Sequence, residues 1–328
     1  MIGFAVKVLG EPGLRSHDTR RWQSGPHLAQ SLRCLREVFA YLDRVDIRMY
    51  RMASGLAPYL SHPDLPQFHR QVEECAQELA QMGEYARTLG LRLSFHPSQY
   101  VLLNAESETI AAHAAVDISG QARILEAMGL GPEAVVVTHI GGLYGAREAS
   151  RARFVARWEQ LPEVGRRRLV LENDDTSFGV GDTLWVHQRT GIRLVFDYLH
   201  HMLVNPEGMS VREAAAQCLG TWGQVRPKVH FSSTRTELRA PPPRRARTLG
   251  QLSPALSDHA DFANPFELIC FLREAGEVEF DLMLEVKAKD LAVLRLREFL
   301  RSPAGQLACR VVGLEAGVAA FKPVAGAG

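Results

Sequence analysis

Hydrophobic and polar positions fall into two alternating patterns along this chain. Short apolar runs occur at IGFAVKV (2–8), DIRMYRM (46–52), RLSFHP (92–97), AVVVTHI (134–140), RLVLEN (168–173), RLVFDYL (193–199), KVHFSS (228–233) and DLMLEVK (281–287). Most are apolar throughout and dominated by Val, Ile and Leu. A half-exposed strand alternates apolar with polar residues, whereas a strand covered on both faces of a parallel sheet need not. The longer intervals read as helices. In 27–45, Leu32, Leu35, Val38, Phe39 and Leu42 recur at spacings of three and four, the stripe of an amphipathic helix. Segments 67–89 and 107–129 repeat that stripe, and 209–222, 265–276 and 288–301 are shorter candidates. Segment 182–190 is barely long enough for a helix.

Eight β–α units in series predict an α/β protein, a (β/α)₈ TIM barrel with its chemistry at the C-terminal face. An open doubly wound sheet is the alternative. The count of eight and the lack of a G-x-G-x-x-G turn after the first run both speak against it. A single domain over 1–314 is expected, followed by an Ala-, Gly- and Pro-rich tail, 315–328, that frays. The rhythm breaks at 235–264, where a proline triplet and Arg244, Arg245 and Arg247 mark a long loop after the seventh strand.

Composition narrows the function classes. Lys and Arg number 38 against 37 Asp and Glu, which excludes a generally basic coat and confines any nucleic-acid contact to local patches. No apolar run approaches the ~20 residues that span a bilayer. The first residues lack the basic and apolar regions of a secretion signal. Five cysteines without CxxC spacing suit a reduced, cytoplasmic protein. A monomer with no membrane contact is expected.

In a barrel the chemistry sits where strands end. The third run ends in His96, the fourth in His139, and the fifth in Glu172, Asn173 and Asp174. The sixth ends in Asp197, with His200 three residues on; the seventh carries Lys228 and His230, and the eighth Glu285. Imidazole and carboxylate are the ligands of Zn²⁺, Mn²⁺ and Fe²⁺. A lone strand-end histidine is more often a satisfied structural residue. Six such residues at the same end of successive strands outnumber one ion's needs and imply two or three, with Glu172 placed to bridge. Lys228 and His230 share a strand face, where an ammonium would be repelled by cations. The lysine is either deprotonated or converted to a carbamate, which would be an anionic ligand, or it is a contact for a substrate phosphate. In His96-Pro97-Ser98-Gln99-Tyr100, the polar–aromatic pair just beyond a ligand can wedge into a base stack or simply pack on the rim. Arg20, Arg21, Arg51, Arg235 and Arg239 fall on the same face and can track a phosphate backbone. Arg166, Arg167 and Arg168 precede the fifth strand and read as solvated surface at the opposite rim.

At these residues the sequence resembles the UV damage endonucleases. The matching stretches are GFAVKVLG, YRMASGLAPYLSHP, LRLSFHPSQYVLLN, VVVTHIGG, LVLENDD, LVFDYLHH, KVHFSSTR and DLMLEVKAKD, in order from residue 3 to about 290. The resemblance implies a metal-cluster barrel like that of endonuclease IV. It implies nicking of damaged double-stranded DNA immediately 5′ of UV photoproducts, leaving a 3′-hydroxyl and a 5′-phosphate. It also implies two or three divalent ions, with manganese ahead of zinc and magnesium. Carried onto this chain, the metal ligands would be His96, His139, Glu172, Asp197, His200, His230 and Glu285, with Lys228 if carboxylated, and His62 and His259 in addition. Glu172, Lys228, His230 and Glu285 would be the catalytic groups, and Gln99 and Tyr100 the pair that probes the lesion. Phe4 takes the place of a tyrosine that often assists that pair, and its ring is expected to stack likewise. The alternatives are an abasic-site endonuclease like endonuclease IV, a metal-dependent sugar isomerase or epimerase, and a DNA-binding module without turnover.

Overall fold

The structure, a computed structural model, describes residues 1–237, 255–276 and 278–311. Eight parallel strands close in sequence order: β1 (Ile2–Ala5), β2 (Met49–Arg51), β3 (Arg92–Phe95), β4 (Val135–Thr138), β5 (Leu169–Glu172), β6 (Arg193–Asp197), β7 (Lys228–Phe231) and β8 (Asp281–Leu284), which pairs back with β1. The helices outside are α1 (Leu28–Arg44), α2 (Gln71–Glu74), α3 (Ala76–Thr88), α4 (Glu108–Ala127), α5 (Arg147–Gln160) and α6 (Glu163–Arg168). They continue with α7 (Val180–Thr190), α8 (Tyr198–Leu203), α9 (Val211–Gly220), α10 (Pro265–Ala275), α11 (Lys289–Arg301) and α12 (Pro303–Val311). This is a (β/α)₈ barrel. Among the described residues no helix is long and apolar enough to cross a membrane.

Strand residues divide by parity, because successive side chains point to opposite faces. One set faces the helices in a single large core that includes Phe4, Tyr50, Leu93, Phe95, Val136, Leu171, Phe196 and Phe231. The α1 stripe of Leu28, Leu32, Leu35, Val38, Phe39 and Leu42 is buried in it. The other set fills the barrel. Val135, Val137, Val170 and Val195 cluster with Trp222, and Ala5, Met49 and Met283 form a second patch. At the N-terminal end Arg92 meets Asp281 at 2.7 Å and lies over the Trp222 ring. At the other end the same parity delivers Arg51, His96, His139, Glu172, Asp197, His230 and Glu285.

Close packing shows at Gly83, where a Cβ would lie 1.6 Å from the Met128 carbonyl oxygen. Only glycine lets α3 approach the end of α4 this nearly. Arg168 is a correction to the surface reading. It is buried, and its guanidinium donates to the Leu130 carbonyl at 2.7 Å, to those of Gly131 and Ala134, and to Glu126. Segment 182–190 extends into the eleven residues of α7, which ends at Gly191 in a left-handed turn. Arg239, the arginines at 244, 245 and 247, and the tail 315–328 lie outside the described residues.

Candidate metal centre

His96, His139, Glu172, Asp197, His200, His230 and Glu285 converge at the C-terminal mouth. Three groups there each place their ligand atoms within 4.8 Å of one another: His96, His139 and Glu172; Glu172, Asp197 and His200; Glu172, His230 and Glu285. Glu172 belongs to all three. Its Oε2 is 3.1 Å from His96 Nε2 and 3.8 Å from His139 Nε2. Its Oε1 is 2.9 Å from His230 Nδ1, which is 3.1 Å from Glu285 Oε1. His200 Nδ1 lies 3.6 Å from Glu172 Oε1 and 3.8 Å from Asp197 Oδ1.

Local structure explains these positions. Asp197 caps α8 by accepting the His200 backbone N–H at 2.8 Å, which fixes the three-residue offset between them. Asn173 splices β5 to β6: its side chain donates to the Asp197 carbonyl at 3.0 Å and accepts from the Asp197 N–H at 2.9 Å, while its own carbonyl is 2.9 Å from His200 Nδ1. The sequence reading placed Asn173 at the strand end but gave it no role. Its position between Glu172 and Asp174 was the available signal.

The donor atoms fit a cation. His96 Nδ1 lies 3.0 Å from the Pro97 carbonyl and His259 Nδ1 2.5 Å from that of Glu285. A neutral ring donating from Nδ1 keeps its lone pair on Nε2, the arrangement that orients metal-binding histidines. His96 then presents a lone pair to a carboxylate oxygen at 3.1 Å, a contact that a proton or a cation must bridge. His139 Nδ1, Asp197 Oδ2 and His230 Nε2 are buried and, among the described residues, have no hydrogen-bond partner.

The electrostatics are those of a ligand cage. Burial alone would raise the Glu172 carboxyl, but His230 and His139 hold it well below the usual carboxylate range. Burial likewise opposes Glu285, and Arg51, then His230, pull it below its ordinary value. Asp197 is pushed up to about 7 by burial and by Glu172 and Glu285. His200 is raised to about 9 because Asp197 and Glu172 outweigh its burial. Lys228 is wholly buried, with Nζ 2.6 Å from Ser94 Oγ and, among the described residues, no carboxylate in salt-bridge contact. Burial, then Arg92 and Arg51, holds its amine well below the ordinary lysine value.

Other sequence candidates are dispersed. Gln99 and Tyr100 project from the loop after β3, and Tyr100 is 77 % exposed. His259 sits beside the centre, its ring 6.3 Å from that of His200. His62 is exposed and belongs to none of the three ligand groups. Phe4 is a correction: it is 0 % exposed, packed outward against Tyr50 at 5.4 Å, and unable to stack on a base. The inward positions of β1 are Gly3 and Ala5. Arg51 is turned inward and paired with Glu285, which removes it from an exposed backbone track. Arg20 clamps Asp18 at 2.7 Å and Arg235 meets Asp261 at 3.0 Å, while Arg21 is exposed.

A (β/α)₈ barrel whose mouth gathers histidines and carboxylates defines a class of candidate metal-dependent barrels. Residues 21–308 match the model of the UV-endonuclease UvdE family, and the chain belongs to that family. It is 32% identical over 284 residues to the UV DNA damage endonuclease of Bacillus velezensis, covering 85% of this chain and 82% of that one. The UV DNA damage endonuclease of Bacillus pumilus is also 32% identical, over 265 residues, with 79% and 77% covered. The crystal structure of SacUVDE superposes with a TM-score of 0.78 at 28% identity, over 92% of this chain and 97% of that one. An L-ribulose 3-epimerase shares the fold alone, at a TM-score of 0.51 and 14% identity over 89% and 94% of the two chains.

Proposed function

We propose that this protein nicks the damaged strand of double-stranded DNA immediately 5′ of UV photoproducts, both pyrimidine dimers and 6-4 photoproducts, leaving a 3′-hydroxyl and a 5′-phosphate. Family membership supports the substrate class, and Glu172 at the junction of three ligand groups is the observation that carries the chemistry. When bound, two or three divalent cations, manganese first, supply Lewis-acid stabilisation of the scissile phosphate and acidify the attacking water.

The chain's own residues do the rest. Glu172 holds the centre together because each of its oxygens faces a different histidine. Asp197 and His200 hold the second group, and His230 and Glu285 the third. Lys228, its amine pulled well below the ordinary lysine value by burial, would be the nucleophile that carbon dioxide converts to a carbamate, the nitrogen losing one proton as the N–C bond forms and a carboxylate oxygen becoming available as a ligand. Gln99 and Tyr100 stand on the rim where a duplex would lie. A photoproduct weakens stacking and pairing, so opening it costs less than opening normal DNA, and the pair fills the gap. Arg21, which is exposed, would meet the phosphate backbone, while Arg20 is held by Asp18.

Glu172→Gln tests the reading. Bound metal per chain and nicking of irradiated plasmid should fall together. Wild-type nicking in that variant contradicts the assignment.

A further inference from the structure

The loop bearing Gln99 and Tyr100 leaves the barrel at His96 and rejoins it at Leu103–Ala105. Its tip makes a turn of its own, with the Val101 N–H donating to the Ser98 carbonyl at 2.9 Å. The returning limb is held from the neighbouring strand. Asn104 is fully buried, and its carboxamide pairs with both backbone groups of Gly142. Nδ2 donates to the Gly142 carbonyl at 2.7 Å, and the Gly142 N–H donates to Oδ1 at 3.1 Å. At Gly141 φ is 115°, and a Cβ there would lie 2.2 Å from Asn104 Oδ1. Only glycine fits beside this amide. α5 completes the clamp. Arg153 donates to the Asn104 carbonyl at 3.0 Å, and Arg157 donates to the carbonyls of Leu103 and Ala105.

This pairing resumes a ladder. β3 and β4 are in register at Ser94–Val135 and Phe95–Val136, and the strands end at Phe95 and Thr138, one residue before His96 and His139. Asn104 and Gly142 tie the two chains together again above those histidines. An asparagine carboxamide offers an N–H donor and a C=O acceptor side by side, as a strand residue's backbone does, and no charge. His96 and His139 therefore lie between two tie points, and the upper one is the root of the exposed pair.

We propose that Asn104 is the positioning residue of the lesion probe, joining the loop of Gln99 and Tyr100 to the strand end that bears His139 so that the two move as one unit. The proposal rests on the reading of Gln99 and Tyr100 as that probe. A probe seated in an unstacked duplex then fixes His96 and His139 in place.

The test uses the full-length protein and a duplex with one pyrimidine dimer, 2-aminopurine in the opposite strand and a non-hydrolysable phosphonate at the scissile position. Extrusion of the bases raises the fluorescence without any cutting. Asn104→Ala should reduce that rise, and single-turnover nicking of the ordinary duplex, each by about tenfold, the scale of two lost neutral hydrogen bonds. Added to Gln99→Ala/Tyr100→Ala, it should cause no further loss, because residues acting through one device are not additive. Asn104→Asp keeps the acceptor for the Gly142 N–H, recovers part of the signal, and carries the test if the alanine variant does not fold. Wild-type fluorescence in both Asn104 variants, or losses that simply multiply in the combined variant, would overturn the proposal. If Gln99→Ala/Tyr100→Ala itself keeps the full fluorescence, the probe reading falls first and the proposal with it.

Discussion

A carboxylate that cannot reach water is tolerated only when its surroundings replace the lost hydration. Glu172 has His96, His139, His200 and His230 around it. Lys228 has one hydrogen bond, to Ser94 Oγ at 2.6 Å, and no carboxylate in salt-bridge contact among the described residues, so burial, then Arg92 and Arg51, pulls its amine well below the ordinary lysine value. Lys228→Met keeps the volume of the stem, so its unfolding free energy should stay within about 1.5 kcal/mol of wild type. Bound metal and nicking should both drop. Unchanged metal content would remove Lys228 from the ligand set. The ligands are legible because each lies at or near the C-terminal end of a strand of known direction. Phe4 shows the limit of reading by position alone, because strand parity turns it away from the mouth: its barrel neighbours Tyr50 and Leu284 face outward with it. Phe4→Ala should therefore cost about 3–5 kcal/mol of stability, read by denaturant unfolding, while the preference for damaged over undamaged DNA stays as it is.

Strands and striped helices were readable because burial imposes a period. α5 shows why others were not. Among its fourteen residues only Ser150 and Phe154 are buried, so no stripe marks it. Arg153 and Arg157 instead hold the loop carbonyls after β3, and Arg147 and Arg151 pair with Asp182. Arg168 escaped for a related reason: a run of three arginines reads as solvated, and only the closed structure shows three carbonyls waiting for one of them. Arg168→Ala should destabilise by about 3 kcal/mol through those unpaired carbonyls, whereas Arg166→Ala should change stability by no more than about 0.5 kcal/mol. The segment between β1 and α1 supplies a pH test. Asp18 is held down to about 2, chiefly by its hydrogen bonds with Arg20, and it also accepts the His27 N–H. Its folded value lies below the ordinary 3.8, so the stabilisation is complete above that pH and is lost as pH falls through about 2. Asp18→Asn should be less stable than wild type at neutral pH by about 1 kcal/mol, discounted because Arg20 is half exposed, and the gap should close in acid.

The barrel as a whole turns an alternating pattern into a site. Parity sends every second strand residue inward, parallel strands bring all their ends to one face, and seven polar ends meet where no single segment of sequence would suggest a cluster. The nearly balanced net charge leaves any DNA contact to local patches rather than to the whole surface. The deciding measurement is a nicking assay on supercoiled plasmid, irradiated or untreated, with the purified protein in Mn²⁺ or in EDTA. Nicking confined to irradiated DNA and to the metal-containing reaction is the predicted result. Nicking that ignores irradiation, or none from a folded and metal-loaded protein, would contradict a lesion-directed, metal-dependent endonuclease.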